Sequence, residues 1–282
     1  MRAIPNFGCT ILALGFLATS YSAHALSLCG EGFVIGTPPT TCGEASVTGN
    51  DGMGNSFNGS PVSPNFIAGA GGGTASVTGG FGALSGSASA TAALGVLRLS
   101  ANSSDSSGPG VSTFASSHAR ATFTDQGTVN SSTLAIGTPV QAVATVSLLG
   151  TTVNQAGVLE FLFLLASQTQ GTLVNTHGNG VFTLNLTVGE SLVMDMALEI
   201  FADSATEGSV VNSTASADFS NSAHFFLDFT TPGVTFDTLG EHDYRSAAAP
   251  AATPLPAALP LFAASLGVLG FVSRRRKQTA VA

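Results

Sequence analysis

The sequence predicts an all-β protein. Its body is an antiparallel β-sandwich or jelly-roll, with a cleaved signal peptide before it and one C-terminal transmembrane helix after it. Three observations carry this reading. Beyond residue 110, apolar and polar residues alternate with a period of two over run after run, as strands with one buried face require. Clusters of Gly, Ser, Thr and Asn separate the runs at turn-like spacing. Sustained apolar stretches of another kind stand only at the two ends of the chain.

Residues 1–25 read MRAIPNFGCTILALGFLATSYSAHA. They hold one early positive charge (Arg2), an apolar stretch from Ile11 to about Ala18, and an Ala-x-Ala cleavage site made by Ala23 and Ala25. This is the build of a secretory signal peptide, and the apolar stretch is too short to span a bilayer. Its removal leaves two cysteines, Cys29 and Cys42, in CGEGFVIGTPPTTC. An even pair in an exported chain is expected to form a disulfide. Closing such a loop contributes on the order of 3 kcal/mol in the chain-entropy view.

Residues 26–110 form a Gly/Ser-rich N-terminal part of the mature region, with weak strands expected around Ala75–Val77 and Ala93–Leu99 and loose loops between them. No phosphate-cradling Gly motif occurs there. GNDGMGN is a single Gly/Asp unit of the kind that binds calcium only in stacked copies, so it reads as a turn.

Residues 111–245 are the expected sandwich core. STFASSHARATFTD and PVQAVATVSLLG supply strands, and GVLEFLFLLAS, apolar on both faces, suits a central buried one. Phe182, Leu184, Leu186 and Val188 alternate with polar residues, as do Leu192, Met194, Met196, Leu198 and Ile200 after Gly189-Glu190-Ser191. Two such runs with a Gly-containing break predict a hairpin. In ASADFSNSAHFFLDFT, the residues Ala215, Ala217, Phe219, Ala223, Phe225, Leu227 and Phe229 share the apolar face.

Charge excludes one class of partner. The chain has 8 basic and 16 acidic residues, and only 9% of it is charged. Arg2, Arg274, Arg275, Arg276 and Lys277 lie at the ends, so residues 26–273 carry Arg98, Arg120 and Arg245 against sixteen acids, a net −13. Such a surface repels nucleic acid.

Catalytic signatures are scarce. The chain has no Gly-x-Ser-x-Gly elbow, His-Glu-x-x-His helix or Cys-x-x-Cys pair. Glu241-His242-Asp243 is the nearest thing to a metal or acid/base cluster, but adjacent strand residues point to opposite faces. Asp195 and Glu199 share a face at about 13 Å along one strand, beyond the separation a glycosidase needs, which leaves cross-strand partners open. Trp is absent and Thr residues are scattered, which argues against an aromatic sugar platform and a flat ice-binding array. No catalytic residue, metal or cofactor is expected.

After an Ala/Pro linker at 246–253, residues 254–279 form a separate module. Pro254-Leu255-Pro256 precedes sixteen apolar or small residues, 257–272, then Ser273 and Arg274, Arg275, Arg276 and Lys277. As a helix, 257–272 would measure about 24 Å, enough to span with local thinning. The basic cluster would stop it on the cytoplasmic side, with the body outside.

This tail resembles the sorting signal of PEP-CTERM proteins in its Val-Pro-Leu-Pro-Ala variant: a Pro-x-Pro signature, a short transmembrane helix and an Arg-rich end. Leu255 stands where the name-giving family has Glu, and Thr253 where the variant has Val. The resemblance covers about 26 residues. It implies recognition by an exosortase-like processing enzyme of the inner membrane, transient anchoring there through the C-terminal helix, and a final place at the cell surface or outside the cell, with extracellular polysaccharide or biofilm matrix as a partner. The expectation for the body is a non-catalytic structural or adhesive role; the alternative is a secreted hydrolase acting on polysaccharide.

Overall fold

Residues Thr113–Ser131 show why this chain forms strands. Burial alternates without interruption from Thr113 to Val129, with Ala115, Ala119, Ala121, Phe123 and Val129 inward and Ser116, His118, Arg120 and Thr122 outward. Only an extended chain with a side-chain period of two buries this sequence. The computed structural model describes residues 39–63, 66–107, 112–206 and 213–246, with backbone alone at 60–63 and 221–222.

Sixteen strands lie among the described residues. The first seven are β1 (Thr40–Asn50), β2 (Ser56–Asn58), β3 (Ser60–Ser63), β4 (Phe66–Ala68), β5 (Gly73–Phe81), β6 (Leu84–Ala93) and β7 (Val96–Asp105). Then come β8 (Thr113–Ser131), β9 (Pro139–Leu148), β10 (Thr151–Val153), β11 (Ala156–Ser167) and β12 (Gly171–Thr176). The last four are β13 (Gly180–Thr187), β14 (Ser191–Thr206), β15 (Ser213–Phe229) and β16 (Val234–Thr238).

They form two antiparallel eight-stranded sheets. Sheet A runs β12-β11-β14-β8-β1-β2, with β4 also against β1 and β16 against β8. Sheet B runs β13-β9-β15-β7-β6-β5-β3, with β10 against β15. Each sheet is organised on one long strand. One edge of β8 pairs with β14, while the other serves β1 and then β16. In sheet B, β15 pairs with β7 on one edge and with β10 and then β9 on the other. The sheets stack face to face, β6 and β7 behind β8, β15 behind β14, which gives the predicted all-β sandwich.

The core is graded in side-chain size. Toward β11 and β14 it is filled by Phe163, Met194, Met196, Leu198 and Ile200, and Phe163 stacks on Phe225 of the opposite sheet with centroids 4.5 Å apart. Toward β6 it is filled by Ala88, Ala90 and Ala92 facing Ala119 and Ala121. A Cβ added to Gly86 of β6 would lie 2.5 Å from Val47 Cγ1 and 2.6 Å from Ser117 Oγ. Small residues here let the two sheets approach closely, at the density of an organic crystal.

Four expectations are corrected. The Gly/Ser/Ala segment is a β-meander, not loose loops with weak strands: β5, β6 and β7 pair along their whole lengths through two-residue turns at Gly82-Ala83 and Leu94-Gly95. Gly82 and Gly95 supply the positive φ these turns need, 58° and 75°. The sandwich core is therefore not confined to 111–245, because β1 and β5–β7 sit in the same two sheets as the later strands. GVLEFLFLLAS is next to an edge rather than central, and its second face is half-exposed.

The fourth correction concerns the hairpin at 182–200. β13 belongs to sheet B and β14 to sheet A, so Val188–Glu190 crosses between sheets. Gly189, at φ 91°, turns the chain, and its N–H reaches Val129 O of β8 at 2.7 Å. Buried Glu190 fixes the crossing. Its carboxylate accepts from Thr187 N at 2.8 Å, from Gln170 Nε2 at 2.7 Å, and from the hydroxyls of Ser167 and Thr169. Burial pushes this carboxyl up, but those donors outweigh it and hold it below its ordinary value.

After β16 the chain returns across one end of the sandwich. Tyr244, 3% exposed, packs on Phe123, Phe225 and Phe236, and its hydroxyl donates to Asp125 Oδ2 at 3.0 Å. Among the described residues no helix is long and apolar enough to cross a membrane. The expected signal peptide and the 257–272 helix lie outside those residues.

Candidate functional site

The sandwich leaves two outer faces, and register decides what each presents. On sheet A, four strands place Glu160, Glu199, Arg120 and Glu44 in one row, on β11, β14, β8 and β1 in turn. Arg120 Nη2 is 3.7 Å from Glu160 Oε2, and its Nε is 3.7 Å from Glu199 Oε2. His118, one outward step along β8, meets Glu199 Oε1 at 2.8 Å through Nε2. Further along, Ser116 Oγ donates to Asp203 Oδ1 at 2.6 Å.

These surroundings separate the carboxyls. Glu199 is lowered, first by the His118 hydrogen bond and then, against burial, by the charges of His118 and Arg120. Asp203 is raised because burial outweighs the Ser116 bond and the pull of His118. Glu160 and Glu199 line an open hollow together with Leu148, Val158, Leu159, Phe161 and His177. The cross-strand partner that sequence left open for Glu199 is thus Glu160, directly opposite it. One guanidinium faces both carboxylates, which suits an electrostatic tie between strands more than the divided acid and base of a hydrolase.

Sheet B presents a different surface. Thr74 and Thr91 stand opposite each other beside Arg98. The next row is Ser76, Ser89, Ser100 and Asp218, and the one after is Thr78, Ser87, Asn102 and Ser216. Thr74 and Thr91 hydroxyls are 3.0 Å apart, and those of Ser89 and Ser100 2.8 Å. Strand spacing sets these groups about 4.8 Å apart across the sheet and about 7 Å apart along it. All are half-exposed or exposed. The Thr and Ser that look scattered along the chain are brought together by pairing.

The other singled-out residues fall as follows. Cys42 is on β1, 6% exposed, opposite Ile67 of β4 and Thr122 of β8. Cys29, Ala23, Ala25, Pro254, Leu255, Pro256, Arg274, Arg275, Arg276 and Lys277 lie outside the described residues. The Glu241-His242-Asp243 triplet is split. His242 packs edge-on against Tyr244 at 4.6 Å, and burial lowers its pKa. Asp243 is held at about 2 by Arg245, whose Nε lies 2.8 Å from Oδ1. Among the described residues no group of three His, Cys, Asp or Glu is placed to hold a metal ion.

Sequence reasoning missed the Glu160–Arg120–Glu199–His118 row. The alternation His118-Ala-Arg120 marks both as outward, but nothing in the sequence pairs β8 with β14. Comparisons with protein-family models, with curated proteins and with solved structures gave no match.

Proposed function

We propose that this is an exported, exosortase-sorted protein of the cell surface or extracellular matrix, with a structural and adhesive rather than catalytic body. The observation that carries the reading for the body is the outer face of sheet B, a broad array of hydroxyl and amide groups with almost no charge. Such a face suits weak, repeated hydrogen bonding to polysaccharide. The tail carries the sorting. Pro254 and Pro256 serve recognition, 257–272 retention in the membrane, and Arg274–Lys277 the cytoplasmic stop. Cys29 and Cys42 close a disulfide in the exported form.

The test is the intact mass of the protein recovered from the cell exterior. Loss of residues 1–25 and of the segment beyond about Pro256 supports sorting and release. A product that keeps its Arg-rich end overturns it. Alkylation without reduction should label neither Cys29 nor Cys42.

A second reading, a secreted hydrolase acting on polysaccharide, is favoured by Glu160 standing opposite Glu199. New reducing ends released from a polysaccharide, and lost in Glu199→Gln, would establish it. Binding without turnover removes it.

A further inference from the structure

On the polar face of β15, His224 and Phe226 present near-parallel rings, 7° between planes and 5.7 Å between centroids. Both are half-exposed. They stand opposite Ser147 and Thr145 of β9, and His224 also stands opposite Val96 of β7. One outward step along β7 from Val96 is Arg98, where the Thr91 and Thr74 row begins. The Ser100 and Asn102 rows follow. The ring pair therefore lies at one end of the hydroxyl array, on the same face.

Resting on the adhesive reading, we propose that this face is a binding surface for neutral polysaccharide. Phe226, with His224 stacked on one side of it, offers its other ring face to the C–H face of one sugar, and the rows on β5, β6, β7 and β15 hold the sugars beyond it. From Phe226 to Ser216 along β15 the face runs about 30 Å, long enough for several sugar units.

The chemistry of the face selects this ligand. Aromatic rings give apolar area with a polarised surface, which matches a sugar's C–H face and compensates for the absence of Trp. Each Ser or Thr hydroxyl has one proton and two lone pairs, so the Ser89–Ser100 and Thr74–Thr91 contacts leave capacity for a ligand's own hydroxyls. A protein partner would call for large buried anchors, and the Ser/Thr rows hold none. A charged polymer would call for net charge, whereas these rows carry Arg98 and Asp218 alone. The acidic body, −13 over residues 26–273, adds repulsion toward polyanions.

The experiment uses the protein as recovered from the cell exterior, with microcrystalline cellulose, dextran and alginate as probes. Retention on a neutral glucan and not on alginate is expected. Phe226→Ala and His224→Ala should each weaken retention about tenfold, and Ser89→Val with Ser100→Val should weaken it further. The melting temperature should hold in each variant. Thr122→Ala, on the outer face of β8 in the opposite sheet, should leave retention unchanged. Failure on all three polymers overturns the adhesive reading together with this site. Retention that survives Phe226→Ala and His224→Ala at full strength leaves the adhesive reading standing and overturns this surface. Retention on alginate alone also overturns it.

Discussion

Tyr244→Phe isolates one hydrogen bond in the middle of the end of the sandwich. The ring stays, so its contacts with Phe123, Phe225 and Phe236 stay. What goes is the O–H that donates to Asp125 Oδ2 at 3.0 Å. Asp125 is 1% exposed, and its Oδ1 accepts from Gln126 N at 2.8 Å and Gly240 N at 3.3 Å. A hydrogen bond to a buried charge is worth about 1.5–3 kcal/mol, so Tyr244→Phe should cost about 2 kcal/mol, a fall of about 4–8 °C in melting temperature. Asp125→Asn keeps the shape and removes a buried charge, so it should be neutral or stabilising at pH 7. The double variant should show a coupling of about 1 kcal/mol or more. Burial raises Asp125 from its ordinary value of 3.8 despite hydrogen bonds from Gln126, Tyr244, Gly240 and Thr238. The folded state therefore binds the proton more tightly than the unfolded chain. That contribution is fully present below the ordinary carboxyl range and is lost as pH rises through the raised value, and it should vanish in Asp125→Asn. Urea denaturation followed by far-ultraviolet circular dichroism measures all of this. A Tyr244→Phe protein within about 0.5 kcal/mol of the parent, with no coupling, would refute the reasoning.

Other expectations follow from the same geometry. Glu190→Ala should cost about 3–5 kcal/mol in the same denaturation assay, because it strips a buried network that joins the two sheets. Gly86→Val should cost about 1–3 kcal/mol by overpacking against Val47 and Ser117, a loss that Val47→Ala in the same chain partly restores. His118→Ala should cost about 1 kcal/mol or less near neutral pH, since the pair is partly exposed. Glu199 is lowered by His118. The stability this gives is present above the ordinary glutamate range and lost as pH falls through the lowered value, so the variant should lose less stability on acidification than the parent.

What was legible in the sequence was which face each strand buries. Ala215, Ala217, Phe219, Ala223, Phe225 and Leu227 of β15 are all buried, as their alternation predicts. A bulge between Phe219 and Ala223 leaves the parity intact because the apolar spacing stays even. Which strand pairs with which was not legible, since a period of two is identical in a hairpin and in a strand that changes sheets. Leu184, Leu186, Leu192 and Met194 are buried as expected, yet β13 and β14 are in different sheets because Gly189 and Glu190 direct the chain across the core. The same limit hid Glu160 beside Glu199, 39 positions apart in sequence, and spread the Ser and Thr rows over β5, β6, β7 and β15. Composition misled at β5–β7 for a different reason. Ala and Gly there reflect a narrow gap between sheets, and such residues read as loop when no large apolar side chain marks the inward face.

The way the chain leaves the body has a mechanical meaning. Leu239 N bonds to Gln126 O on β8, Leu227 N of β15 bonds to Tyr244 O, and Ser246 N bonds to Asp228 of β15. A pull applied beyond Ser246 is thus divided between the longest strand of each sheet instead of peeling one edge. The first bonds to yield would be the outermost, at Ser246, then the Tyr244 pair, and only afterwards the ladders of β8 and β15. A body held by its C-terminal end would bear load through its middle, and its rupture force would be set by one tyrosine and one aspartate before any strand slid.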